Sequence, residues 1–520
     1  MKPEVDLVYV GNGTILKNWF LRGEKGVIHF KVNNLDYKNF LVELRSYDDE
    51  EFKIILYSST TKNSKDIKIK LDTKKIPIGL YQLIVKIDNK EFNGVKESSP
   101  LNFERYPWLI AVLEPFEKVT QISNGLPSEI VPLGIGVNIH FIHPRSVDLE
   151  MMKLAGISIV RMDLTWSFIE KEPGKYDLNG YIDLAKKLRI NGIIPLFILD
   201  YTNPFYNNGL PPKSEEGRKA FAQYSCYSAI ILKEYGVIFE VWNEPNIKTF
   251  WKPEPDVKSY AELLKTTTDE LLKADKEVTV IAPACSGLCL DFIEYLAKNG
   301  YLKKLAAISV HPYRAKPPET VQADYGKLRD LLKKYNILKP IVDSEWGYPT
   351  GSSKGFFVDI RTQAAYIVRM YLINLIEHIP ITIIYDWKDD GADAEYNEHN
   401  FGIIADYDSL NRKYGQPTYF IKPAYFAIYN INRLLNGFRL VKVLENGENK
   451  DYVLLFKNEK NEEKIVVWTT GKPHKLSLDV HWNAVILTRL FGKRDKIKIL
   501  DNKIIVNISE EPLILERAVN

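Results

Sequence analysis

The sequence predicts an α/β protein: a closed (β/α)8 TIM barrel over residues 131–437, flanked by an N-terminal β-sandwich at 1–105 and a C-terminal β-sandwich at 438–520. Three observations predict it. Between Val131 and Gly437, short β-rich apolar runs alternate eight times with longer amphipathic runs, the mark of a parallel sheet whose eight units close on themselves. Outside that stretch the helical runs give way to short alternating strands. At 520 residues the chain also exceeds one ordinary core, so several domains are required.

In chain order, alternation first runs through Gly26–Val32, Phe40–Leu44, Phe52–Tyr57 and Ile67–Leu71, and a turn at Pro77–Gly79 then feeds a strand ending at Ile87. Strands of this spacing suit a small sandwich, read as an accessory domain without activity. Residues 106–130 read as a connector punctuated by Pro107, Pro115, Gly125 and Pro127. The barrel strands are expected to begin at Gly134, Ser158, Ile193, Val237, Thr279, Ala306, Ile341 and Ile381. Helices are expected over Asp148–Gly156, closed by its glycine, and over Ser214–Tyr235, opened by a serine cap and closed at Gly236. Two more are expected over Thr362–Glu377 and Pro423–Leu435. The rival, an open doubly wound sheet, needs a glycine-rich phosphate turn after the first strand, whereas Gly134 and Gly136 lie inside it. The last sandwich is expected to use Phe438–Leu444, Tyr452–Lys457, Lys464–Thr469, Ala484–Thr488, Ile497–Leu500 and Ile504–Ile508.

Composition narrows the function classes. The 70 basic and 67 acidic side chains nearly cancel, leaving a net charge of +3 and no electrostatic footprint for nucleic acid or membrane. No apolar run is long enough to span a bilayer. Met1–Asp6 lacks the apolar core of a leader, so a cytoplasmic location is expected, or a secreted one if a leader was removed. Scarce Met and Cys beside abundant Lys, Ile, Tyr and Glu lean toward a thermophilic source. The three cysteines, Cys226, Cys285 and Cys289, are too few for a disulfide framework. Cys285 and Cys289 have no histidine near them and are expected to be small packing residues rather than a metal site or a disulfide. Nothing in the sequence sets an oligomeric state.

Chemistry concentrates where barrel strands end. The runs Phe239–Asn246 and Ile341–Gly347 are each a buried strand that exits in a glutamate beside a tryptophan. A carboxylate there is costly unless it has partners or a task. Two of them, Glu244 on the fourth strand and Glu345 on the seventh, are what double displacement at a glycosidic bond requires: one acid/base and one nucleophile. Arg161 and Tyr313 are expected to favour an ionised Glu345, and that charge to keep Glu244 protonated until the nucleophile is consumed. Asn243 is placed to bond a sugar 2-hydroxyl. His140, Asp200, His311 and Trp166 are candidate substrate contacts at the other strand ends, and the flat indole of Trp387 is the candidate platform for a sugar face. His140 at the barrel rim and His311 behind the site are equally open to purely structural readings, as are Trp242 and Trp346 caging the two carboxylates. The acidic run Asp386, Asp389, Asp390, with Asp393, Glu395 and Glu398 beyond, lacks calcium-loop spacing and is read as a polar subsite loop. No metal and no cofactor are expected.

These residues resemble a known group. Trp242-Asn243-Glu244-Pro245-Asn246, Ser344-Glu345-Trp346-Gly347, His311-Pro312-Tyr313, Asp386-Trp387 and Arg161–Trp166 with Ile169–Asp177 look like the motifs of the clan A glycoside hydrolases, most like the family 39 and family 5 enzymes. The resemblance covers about residues 131–437. It implies a retaining glycosidase cleaving O-glycosidic, β-linked bonds of a glycoside, oligosaccharide or polysaccharide, with Glu244 as acid/base and Glu345 as nucleophile. It further implies that Asn243 meets the 2-hydroxyl, that Arg161 and Tyr313 hold the nucleophile, and that Trp387 underlies the reacting sugar. A non-catalytic carbohydrate-binding barrel, a transglycosylase of the same clan and a metal-assisted hydrolase using the acidic run stand as alternatives.

Overall fold

The computed structural model of the chain describes residues 4–33, 38–60, 65–121, 125–351, 356–499 and 502–518. Met1–Pro3 and Leu500, the expected end of one strand, lie outside the described residues. By the density of its contacts the chain falls into two compact units: 118–347 with 369–385, and 1–117 with 348–368 and 386–520.

The first of these units holds the barrel. Its strands are β1 (Ile135–Asn138), β2 (Ile159–Thr165), β3 (Ile194–Asp200), β4 (Ile238–Val241), β5 (Thr279–Ser286), β6 (Ala307–His311), β7 (Ile341–Trp346) and β8 (Thr382–Ile384). They close in that order, every neighbour pair parallel. Each begins within one residue of its expected position, because parallel strands are buried on both faces and read as continuous β-branched runs. One layer of the interior is aliphatic, built from Ile159, Leu196, Ile238, Ile281, Val342, Ile383 and their neighbours. Other inward positions carry Arg161 and Glu240, both at most 1% exposed. The helix Glu215–Leu232 starts where Ser214 accepts the Gly217 amide at 3.0 Å, and its 3-10 extension stops at Gly236, whose φ of 57° suits glycine.

The other unit is largely β. One sheet runs in the order Thr418–Tyr419, Leu16–Lys17, Glu4–Gly11, Lys25–Asn33, Asp66–Asp72. It shares an apolar core, Phe20, Phe30, Val42, Leu83 and Ile110 among its members, with a sheet built on Trp19–Leu21, Leu109–Leu113, Gly79–Ile87, Phe40–Ser46 and Lys53–Ser59. The segment 106–130, read as a connector, thus contains a wholly buried strand, Leu109–Leu113, pairing in parallel with Trp19–Leu21. Five apolar residues between prolines are too few to display a period. Toward the C-terminus, Arg439–Asn446, Asp451–Lys457, Glu463–Thr469, Leu513–Arg517, Val485–Thr488 and Arg494–Ile497 form one sheet, and His474–Asp479 pairs with Lys503–Ile508. The two β regions meet where Asp48 accepts the Phe491 and Lys493 amides at 2.9 and 2.7 Å. A Cβ on Gly492, between those residues, would lie 2.8 Å from the Gly79 Cα, so the contact requires glycine. Among the described residues no helix is long and apolar enough to cross a membrane.

Candidate active site

The site begins with the exit of β4. Its apolar run carries Glu244 to the barrel mouth through a turn in which Trp242 and Glu244 both adopt left-handed backbone angles, φ 70° and 45°. Such angles are uncommon outside glycine and persist only where neighbours impose them. Here the Glu244 amide donates to the Ala284 carbonyl at 2.9 Å and the Trp242 amide to Leu199 at 3.0 Å. The Trp242 indole lies fully buried below, donating to the Phe250 carbonyl at 3.2 Å and meeting Trp251 edge-on. It supports the turn and offers no face to a ligand.

Arg161, from β2, organises the centre. Its Nε donates to Glu240 at 2.8 Å, one Nη donates to Asn138 at 3.1 Å and to Glu345 Oε2 at 2.6 Å, and the other donates to the Asn243 carbonyl oxygen at 2.8 Å. Burial alone would lower the Arg161 pKa, but the charges of Glu240 and Glu345 outweigh it and raise the guanidinium above its already high value. Glu240 responds in the opposite sense: burial opposes its charge, yet the Arg161 guanidinium holds its carboxyl below the usual range. The second Glu345 oxygen accepts from the Tyr313 hydroxyl at 2.9 Å. Burial, reinforced by the Glu345 charge, pushes that phenol well above its ordinary pKa, so it stays a donor.

Glu244 has a different neighbour. His311 Nδ1 lies 2.9 Å from Glu244 Oε1, while its Nε2 faces the Arg161 guanidinium at 3.4 Å. A guanidinium has no acceptor, so Nε2 must present its lone pair and Nδ1 the proton. His311 therefore donates its Nδ1 proton to Glu244. One atom each of Glu244, His311 and Glu345 lie within 4.8 Å of one another. These are ligand types for a divalent cation, but Arg161 and Tyr313 already fill the two Glu345 oxygens, and a cation would face a permanent positive charge. His140, exposed at the end of β1, lies 3.1 Å from the Asn138 amide, its ring 5.5 Å from Tyr385.

Glu244, Glu345, Asn243, Arg161, His311 and Tyr313 are thus brought together, with His140 bonded to their edge through Asn138. Other expectations are corrected. Trp166 has no exposed surface: its indole donates to Glu170 at 2.5 Å and stacks between Tyr206 and Tyr224, so it packs the helix Glu215–Leu232 against the barrel wall. Asp200 is likewise fully buried. Burial, then the nearby Asp163, lifts its pKa well above the carboxylate range, and it shows no surface to a sugar. Trp387 shows no surface either, and its ring meets Tyr425 edge-on at 6.1 Å. Cys285 and Cys289 are joined in a disulfide, their Cα atoms 6.1 Å apart, because the chain doubles back through left-handed turns at Gly287 and Cys289. Sequence reasoning passed over Glu240, whose signal was available: a lone charge inside Val237–Trp242, on the inward face of a buried strand, must have a partner. A cavity of about 600 Å³ in the other unit, walled by Phe92, Phe103, Trp108, Tyr414 and Phe420, contains none of these residues.

A closed parallel barrel with these residues at its strand ends has the fold of the clan A glycoside hydrolases. Within that clan the likeness is to family 39: the profile of Glycosyl hydrolases family 39 matches residues 232–488. A Beta-xylosidase of Caldicellulosiruptor saccharolyticus is 26% identical over 259 residues, 45% of this chain and 50% of that protein. A second, from Geobacillus stearothermophilus, is 27% identical over 128 residues, 21% of this chain and 25% of its own length. The chain thus spans half or less of these relatives. A family 39 glycoside hydrolase from Bacteroides cellulosilyticus WH2 superposes over 99% of this chain and 100% of its own, with a TM-score of 0.70 at 20% identity. A family 39 β-xylosidase from Caulobacter crescentus covers 76% of this chain and 98% of its own, with a TM-score of 0.54 at 16% identity. At these identities the superpositions speak for the fold alone.

Proposed function

We propose that this protein is a retaining β-glycoside hydrolase, acting first on β-xylosides, with Glu345 as nucleophile and Glu244 as acid/base. The observation that carries this reading is that one carboxyl oxygen of Glu244 lies within 4.8 Å of one of Glu345. Retaining enzymes need about 5 to 5.5 Å between carboxyl groups and inverting ones about 6.5 to 9.5 Å, the difference being room for a water. The xyloside preference is taken from the names of the sequence relatives.

The partners of the two carboxyls differ in a way that suits the two roles. Glu345 faces a permanent cation and a phenol, a setting that stabilises an attacking carboxylate. Glu244 faces one imidazole nitrogen of His311. Glu345 attacks the anomeric carbon while Glu244 gives its proton to the departing oxygen. The bond to sugar neutralises Glu345, and Glu244 then takes a proton from the water that cleaves the glycosyl ester. Because Arg161 holds the Asn243 carbonyl oxygen, the amide nitrogen is the group left to donate to the sugar 2-hydroxyl. His140 is the candidate contact for a neighbouring hydroxyl.

Replacing Glu345 tests the assignment. Glu345→Ala should abolish turnover of an aryl β-xyloside, and azide should restore cleavage with a glycosyl azide of inverted anomeric configuration. Glu244→Ala should be rescued by azide with retained configuration. Unchanged turnover in Glu345→Ala removes it as nucleophile.

A further inference from the structure

We infer that the Cys285–Cys289 disulfide, acting through Asn246, is a redox-sensitive clamp that positions Glu244. The inference rests on the reading of Glu244 as acid/base and adds a mode of regulation to it. Three connections converge on the five-residue ring the disulfide closes. The Asn246 amide clasps Ser286 at both ends, Nδ2 donating to the Ser286 carbonyl and the Ser286 amide donating to Oδ1, each at 2.9 Å. The Glu244 amide donates to Ala284, the residue before the ring, at 2.9 Å. The Gly287 amide donates at 2.9 Å to the carbonyl of His311, the residue whose imidazole bonds the Glu244 carboxyl.

The segment being held needs holding. Trp242, Glu244 and Ala284 all have left-handed angles, and β5 slips register against β6 between Ala282 and Cys285. The ladder is interrupted at Pro283 and Ala284 and resumes where Cys285 and Ser286 pair with Val310 and His311, so the left-handed turn at Ala284 depends on side-chain and loop contacts. Cys285 is buried whereas Cys289 is half-buried, so of the two residues Cys289 is the one a reductant approaches. Attack by a phosphine on the Cys289 sulfur breaks the S–S bond and releases the Cys285 thiolate. Water then supplies the oxygen of the phosphine oxide and the two protons of the thiols, and a cellular dithiol would do the same by forming its own disulfide. With the ring open, the turn that carries Ser286 and Gly287 is no longer closed on itself, and Asn246 loses the rigidity of the backbone it clasps.

The test separates positioning from general damage. Oxidised protein exposes one thiol on denaturation, Cys226, and fully reduced protein exposes three. For phenyl β-xyloside, whose leaving group needs a proton, kcat/KM should fall at least about tenfold on reduction. For dinitrophenyl β-xyloside, which needs none, it should stay within about twofold, and azide should raise its kcat. Asn246→Ala and Cys285→Ser/Cys289→Ser should reproduce this signature without reductant, the latter becoming insensitive to it. Equal losses on both substrates, or no loss in protein with three titratable thiols, overturn the clamp. Amide exchange gives a readout independent of turnover: Glu244–Ile247 should lose protection on reduction, and unchanged protection also overturns it. If the oxidised protein cleaves neither substrate, the glycosidase reading fails instead.

Discussion

Arg161 Nε lies 2.8 Å from Glu240 Oε2 at the bottom of the site, with neither side chain more than 1% exposed. This pair fixes the guanidinium from below, so that its other two nitrogens are free to hold Glu345 and Asn243. Breaking a buried ion pair from one side leaves an uncompensated charge, at a cost of about 3–5 kcal/mol. Glu240→Gln should lower the unfolding temperature of the barrel markedly and reduce kcat. Glu240→Leu combined with Arg161→Met should be more stable than Glu240→Leu alone, although inactive, as calorimetry and a xyloside assay would show.

Tyr313→Phe removes one donor from Glu345 and leaves the ring in place. Loss of a preorganised donor of this kind costs about 10²-fold in kcat. The expected result is such a drop with an unchanged fold by circular dichroism. Activity within twofold of wild type would remove Tyr313 from the proposed machinery.

Asp200 gives the opposite expectation. Burial and Asp163 already keep its carboxyl well above the usual range, so asparagine mimics the form it takes. Asp200→Asn should keep kcat/KM within about threefold, whereas a hundredfold loss would restore it as a sugar ligand.

Asp48 links pH to stability. Burial, opposed by the two backbone amides it accepts, raises its pKa from 3.8 to about 7. The folded state therefore binds its proton more tightly than the unfolded state. The resulting stability is fully present below pH 4 and is lost as pH rises through about 7. Relative to Asp48→Asn, wild type should lose on the order of a few kcal/mol between those limits. Parallel denaturant curves at pH 4.5 and pH 8, with equal shifts for the two proteins, would refute this.

A chelator should leave turnover unchanged, because the proposed chemistry runs between two carboxyls already satisfied by Arg161, Tyr313 and His311. Loss of activity in EDTA, restored by a divalent cation, would favour the metal-assisted alternative.

The sequence alone determined where each barrel strand starts to within a residue, and it put a glutamate at the exit of the fourth strand and another on the seventh. A strand buried on both faces must be apolar throughout, and a charge at its exit stands out against that background. It did not reveal that Trp166 and Asp200 are sealed beneath the surface, since strand alternation places a residue on a face but not at a depth. The strand Leu109–Leu113, seated between Trp19–Leu21 and Gly79–Ile87, was hidden because five apolar residues display no period. The Cys285–Cys289 bond, the Glu240 support of Arg161 and the proton on His311 Nδ1 were decided by tertiary structure. Each depends on a distance between side chains, which spacing along the chain does not specify.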